Sequence, residues 1–365
     1  MKPNRKLRLW LLAATWGLVA SGVSGESPKA GQAVETAPWV NISDELFARL
    51  GVADMKPDPM RRCVGMAVTP MGEIFILTSK NHGVCVSKDH GATWTVVPDN
   101  NVTGRCETGF GFSIAYPYDG RLAFFSIDGT GGITADGGRT WRPFTKILRN
   151  FDFADVDWSV TDPQSIFGLL HEPYFTALST DGGRNWQQLC KDAEAPKDVQ
   201  KWVSQYCLGL IGANTLVRSH LAKAGIEMSA DEGKAWTVVA NYQVLGRRPV
   251  HFGNKVYWTT TAGVIVTTDG KDWTLTGNGS AQAVYGPYFG STEQEFMVVS
   301  DKAFFLTHDG GKTWNDVAPT FVPSDAFRAA GFHANGQFNY FGWDSKDNYI
   351  YASSLAGSVY RRQLK

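Results

Sequence analysis

Arginine, histidine, tyrosine and carboxylate residues gather where short apolar runs begin. Arg61-Arg62-Cys63, Arg105-Cys106-Glu107, Phe151-Asp152-Phe-Ala-Asp155, Gln205-Tyr206, Arg247-Arg248-Pro-Val-His251, Tyr285-Gly-Pro-Tyr288 and Phe327-Arg328 each open such a run. Between runs stand Lys80-Asn81-His82, His171-Glu172-Pro-Tyr174 and Arg218-Ser-His220. A guanidinium makes paired, charge-assisted bonds to a carboxylate or sulfate. Arg62, Arg105, Arg218 and Arg248, with His82, Glu107 and Asp155, are therefore candidate binders of an acidic ligand. Tyr285, Tyr288, His171, His220 and Glu172 are candidates for proton transfer. Elimination beside a carboxylate needs both sets: cations to neutralise the acid, and a base to take the adjacent proton. Hydrolysis needs instead two carboxylates at a suitable separation, for which Asp152 or Asp155 with Glu107 or Glu172 would serve. The competing reading is that these arginines pair with Asp155, Glu107 or Glu172 and knit a rim. His82, His171 and His220 read as separate solvated histidines rather than a ligand set, so no cofactor or metal is expected.

The elements that position these residues follow from a repeat. SKDHGATW (87–94), TADGGRTW (134–141), STDGGRNW (179–186), SADEGKAW (229–236), TTDGKDW (267–273) and THDGGKTW (307–314) share the pattern Ser/Thr-x-Asp-x-Gly-x-x-Trp, the fifth copy being one residue shorter. Their tryptophans recur at intervals of 47, 45, 50, 37 and 41 residues, the signature of a repeat architecture. Each copy lies between two apolar runs, as a tight turn between strands does. The Asp can accept from turn N–H groups, the Gly supplies a positive φ, and the Trp is an apolar plate for packing. Asp89, Asp136, Asp181, Asp231, Asp269 and Asp309 are accordingly read as scaffold, not as acids or bases. A worn seventh copy, Ser353-Ser-Leu-Ala-Gly-Ser-Val-Tyr360, has Leu355 where Asp belongs, and strand-like runs precede it at 327–332 and 337–343.

The pattern resembles the Asp-box (BNR) repeat of sialidases, sortilin-type receptors, xyloglucanases and photosystem assembly factors. That resemblance implies an all-β fold with the box in the turn between the third and fourth strands of each propeller blade. Seven four-stranded units fit residues 60–365, so we expect a single seven-bladed β-propeller with Asp-box turns over residues 39–365. Trp39-Val-Asn-Ile reads as a strand reinforcing the last blade. The resemblance also places the arginine-rich openings around the mouth of the central channel. A sialidase site is only loosely echoed by Arg62, Arg218, Arg248 and Tyr285 or Tyr288. That family's Phe/Tyr-Arg-Ile-Pro signature is replaced by Met60-Arg61-Arg62-Cys63. The expectation is recognition and lyase-like cleavage of an acidic, uronate-type glycan. A glycoside hydrolase and a non-catalytic binding or assembly-factor propeller are the alternatives.

Lys2, Arg5, Lys6 and Arg8, an apolar stretch from Leu9 and small residues to Gly25 read as a signal peptide over residues 1–25, with a flexible lead over 26–38. Its removal leaves 31 basic against 35 acidic residues, a net charge of −4, which argues against a nucleic-acid partner. The expected protein is secreted or periplasmic, monomeric and without a membrane span. In such a compartment Cys190 would pair with Cys207, and Cys63 with Cys106, leaving Cys85 buried. The first bridge would be worth roughly 3 kcal/mol in the chain-entropy account.

Overall fold

The computed structural model describes residues 38–52, 63–78, 82–97, 102–106, 108–127, 129–145, 151–171, 176–189, 206–277, 283–300, 303–317, 339–354 and 357–364. They form seven antiparallel four-stranded sheets, the blades of a β-propeller. The innermost strands, in order, are Cys63–Val68, Phe112–Ile114, Phe151–Val156, Tyr206–Ile211, Val250–Phe252, Tyr285–Phe289 and Asn339–Asp344. Six blades are simple meanders of four consecutive strands. The seventh is not: its three C-terminal strands, ending with Tyr360–Gln363, are completed on the outside by Val40–Asn41, with Val40 opposite Arg361 and Asn41 opposite Tyr360. The Trp39 segment thus does reinforce the last blade, and supplies its fourth strand. The run at 327–332 lies outside the described residues, as do residues 1–37 and Leu355.

The outermost strand is the most exposed in every blade. Cys63–Val68 and Phe151–Val156 are buried at every position, because neighbouring blades cover both faces and leave no polar side to alternate with. The two-residue outermost strands Thr274–Leu275 and Asn315–Asp316 are exposed throughout. This contrast is why the inner strands read as continuous apolar runs in the sequence.

The repeated turn joins the third and fourth strands, as expected. In the second copy Thr134 Oγ1 donates to Asp136 Oδ1 (2.8 Å) and accepts from Gly138 N–H (3.1 Å), while Asp136 Oδ1 accepts from Thr140 N–H (2.9 Å). The same three bonds recur at Ser179, Asp181, Gly183 and Asn185. The turn glycine also touches the preceding blade: at Gly138 (φ +75°) a Cβ would lie 2.6 Å from Phe75 Cε1. At Gly91 (φ +88°) it would meet Ile42, so the first turn packs on the N-terminal segment. Trp94 Nε1 donates to the Ile42 carbonyl (3.0 Å), tying the first blade to the chain's N-terminal side. Leu46 and Phe47, on the short helix Asp44–Arg49, share a core cluster with Cys63, Tyr340 and Tyr351 at this seam.

The Cys63–Cys106 disulfide does not form. Both are buried free thiols. Side chains of adjacent residues on a strand point to opposite faces: Cys63 packs in the seam cluster with Leu46 and Tyr340, whereas its neighbour Val64 shares a different cluster with Cys106. Cys63 Sγ approaches the Gly65 carbonyl (3.6 Å), and Cys106 Sγ the Thr108 hydroxyl (3.3 Å). Cys207 is a fully buried thiol among Ile211, Val217 and Trp258. Its expected partner Cys190 lies outside the described residues.

Candidate functional site at the channel axis

The inner strands converge on a cavity of about 50 Å³ lined by Met66, Phe110, Phe112, Tyr116, Arg248, Pro287, Tyr288 and Phe341, among others. Five blades contribute to it. Arg248, just before the fifth blade's inner strand, is the one charged residue in this lining. Its side chain is buried, with Nη2 donating to the Phe112 carbonyl of the second blade and Nη1 to the Pro249 carbonyl (3.2 Å). Nε has no hydrogen-bond partner. Burial pulls the guanidinium's pKa down, and the nearby Asp155 charge opposes this more than any other group. Burial also pushes the Tyr288 hydroxyl well up and raises Tyr116, with Arg248 working against both shifts. Both phenols are therefore held as neutral hydrogen-bonding groups.

Asp155 lies behind Arg248 without contacting it as an ion pair. Its carboxylate is fully buried, and Oδ2 accepts from Leu210 N–H (2.9 Å) and lies 2.8 Å from His251 Nε2. Oδ1 has no hydrogen-bond partner. The chemistry available is thus an enclosed cation whose Nε–H is unpartnered, two neutral phenols and an aromatic wall. A guanidinium so placed can make charge-assisted bonds to one small anionic group.

The other residues singled out in the sequence are dispersed. Tyr285 is a core residue, stacked on Phe110 (5.2 Å) and edge-on to Phe341 (5.0 Å). Arg218 stands on the second strand of the fourth blade, where it pairs with Glu227 (Nε to Oε2, 2.5 Å) and lies over the Trp236 ring (4.1 Å). His171 Nδ1 lies 2.8 Å from Asp152 Oδ1. His220 is buried, its Nδ1 accepting from Ala222 N–H (3.1 Å) with Tyr206 edge-on to the ring. Arg105 is half-buried, and its carbonyl accepts from Ile127 N–H (2.8 Å). His82 is half-buried ahead of the first blade's third strand. None of these six lines the cavity. Arg62, Glu107 and Glu172 lie outside the described residues. Of the candidates, the structure brings together Arg248 and Tyr288, with Asp155 behind them.

Tyr116 and His251 were not singled out for a role. His251 stands three residues after Arg248 in the same motif, and its use became visible only once the third and fifth blades were placed side by side. Among the described residues, a grouping of His and carboxylate donors lies elsewhere, between the first and seventh blades.

No protein-family model and no curated protein matches the chain. Solved structures do. One chain of a mitotic checkpoint complex is similar over 96% of this chain and 99% of its own, at 8% identity and a TM-score of 0.50. YCF48 from Cyanidioschyzon merolae is similar over 90% of this chain and 99% of its own (11% identity, TM-score 0.43). A GH74 enzyme from Niastella koreensis is similar over 81% of this chain and 64% of its own (12% identity, TM-score 0.35). At these identities the likeness speaks for the fold alone, and the class that this chain's own seven sheets define is the seven-bladed β-propeller.

Proposed function

We propose that this protein is an Asp-box propeller that binds the carboxylate of an acidic, uronate-type glycan at the channel axis, as a recognition module without turnover. The observation that carries this reading is the buried Arg248 side chain, which lines an aromatic-walled cavity and whose Nε–H has no hydrogen-bond partner. A cavity of about 50 Å³ has room for a few waters, and hence for a carboxylate displacing them. It has no room for a whole sugar ring, so the ligand would insert its acid and lay its body against the rim.

Two features weigh against lyase chemistry at this point. Elimination needs a base, and the Tyr288 phenol is driven away from ionisation by burial. Tyr285 is locked in the core, and His171 is engaged with Asp152. Hydrolysis fares no better here, because Asp155 is engaged by His251 and Leu210, and Asp152 by His171.

The test is to incubate the protein with oligouronates and record retention on an affinity column together with ultraviolet absorbance and new reducing ends. Retention of oligouronate with no product supports the reading. Absorbing product would replace it with a lyase, reducing ends without absorbance with a hydrolase. Absence of both retention and product would overturn the glycan assignment.

A further inference from the structure

A second cluster lies at the seam that closes the ring. His90 sits in the turn between the third and fourth strands of the first blade. Asp344 and Asp347 sit where the seventh blade's inner strand turns into Tyr349–Ser354. One donor atom from each of the three lies within 4.8 Å of the other two. His90 Nδ1 is 3.4 Å from Asp344 Oδ2, and Nε2 is 3.5 Å from Asp347 Oδ2.

Asp344 makes this more than an acidic surface. Its side chain is fully buried, yet Oδ2 has no hydrogen-bond donor. Oδ1 is satisfied by the N–H groups of Lys346 (3.0 Å) and Asp347 (3.1 Å), which fixes the carboxylate with Oδ2 aimed at the imidazole. An enclosed carboxylate oxygen without a partner is costly unless something positive meets it. His90 stands at φ +58°, as Glu232 does at φ +60° in the same place of the fourth turn.

We propose that His90, Asp344 and Asp347 bind one divalent transition-metal ion of the zinc type, which clips the first blade to the seventh. Metal–ligand bonds of about 2.0–2.1 Å at tetrahedral angles put donor atoms roughly 3.3 Å apart, close to the His90–Asp344 separation. Asp347 is partly exposed, and its side chain can turn to complete the set. One neutral imidazole and two carboxylates supply the charge for a divalent ion, and the nitrogen donor favours zinc or cobalt over calcium, magnesium or manganese. Other contacts already hold these loops together. Arg361 Nη1 donates to the His90 carbonyl, and Lys346 N–H to the Pro70 carbonyl (3.1 Å).

The experiment uses the full chain stripped with a chelator, then titrated with Zn²⁺ by calorimetry and with Co²⁺ by visible absorption, each followed by a thermal scan. One equivalent is expected to bind at micromolar Kd or tighter, with Co²⁺ bands in the visible and a higher Tm. Asp344→Asn keeps an oxygen for the Lys346 and Asp347 N–H groups while removing the ligand atom. It should weaken binding by about 10-fold or more, the scale of losing a metal-site contact. His90→Asn tolerates the left-handed backbone and should do the same, while His308→Asn should change nothing. Folding of each variant is read from circular dichroism. Failure of the wild type to bind either ion below about 100 μM, or unaltered binding by folded Asp344→Asn, would overturn the proposal.

Discussion

Asp155 Oδ2 and His251 Nε2 lie 2.8 Å apart with both side chains buried, and this contact bridges the third and fifth blades over the fourth. The same oxygen accepts from Leu210 N–H, so one carboxylate stitches three successive inner strands. Removing one partner of a buried, hydrogen-bonded ionisable pair typically costs about 3–5 kcal/mol. Asp155→Ala should therefore shift the guanidinium unfolding midpoint strongly downward. Asp155→Asn, which keeps an oxygen for Leu210, should lose clearly less. Equal midpoints for all three proteins would mean that the stitch contributes nothing.

Ring closure depends on residues far apart in the chain. Val40–Asn41 completes the seventh blade, and the Ile42 carbonyl accepts from Trp94 Nε1 in the first. A chain lacking everything before Asp44 should have a lower Tm, and hydrogen exchange should accelerate in the strand Tyr360–Gln363, which becomes an unprotected edge. Unchanged exchange there would count against closure by the N-terminal strand.

The cysteines should behave as core residues. Burial pushes the thiols of Cys63 up to about 11 and of Cys85 and Cys207 up to about 12, and raises Cys106 as well. At pH 8 a thiol reagent should label none of Cys63, Cys85 and Cys106 in the native protein and all three after denaturation, as read by peptide mass mapping. Rapid native labelling would contradict their placement.

Much of this was legible in the sequence, and the failures have identifiable causes. The turns were legible because Asp and Gly in them answer only to local backbone geometry, as Asp136 and Gly138 show. The strand at Val40 was legible as a reinforcement of the last blade but not as its fourth strand, because seven four-stranded units already fitted residues 60–365. The site was less so, because what an arginine reaches depends on its strand's place in the blade. Arg218 and Arg248 look alike in the sequence, yet the first lies against Trp236 and Glu227 on a second strand, and the second enters the channel. The Cys63–Cys106 pairing failed on strand parity, which sends Cys63 to the seam and leaves Cys106 with Val64 on the other side.

Acid should test the repeated turns. Hydrogen bonds from the backbone and side chain of Asn185 pull the Asp181 carboxyl down to about 2, and those from Thr313 do the same for Asp309. An unfolded Asp titrates near 3.9. The folded pKa is the lower one, so this stabilisation is full above about pH 5 and fades as pH falls through 4 toward 2. Between pH 5 and pH 2, Tm of the wild type should fall more steeply than that of Asp181→Asn with Asp309→Asn. Parallel curves would show that these carboxylates do not couple to folding.

The central claim is that Arg248 receives a carboxylate at the channel axis. The most direct measurement is calorimetric titration of wild type and Arg248→Met with one oligouronate, as the free acid and as its methyl ester. A charge-assisted bond is worth about 1.5–3 kcal/mol, so either change alone should weaken binding by roughly 10- to 100-fold. Because both remove the same contact, combining them should add little further. An ester that binds as tightly as the acid, or an Arg248→Met protein that binds like wild type, would contradict the account.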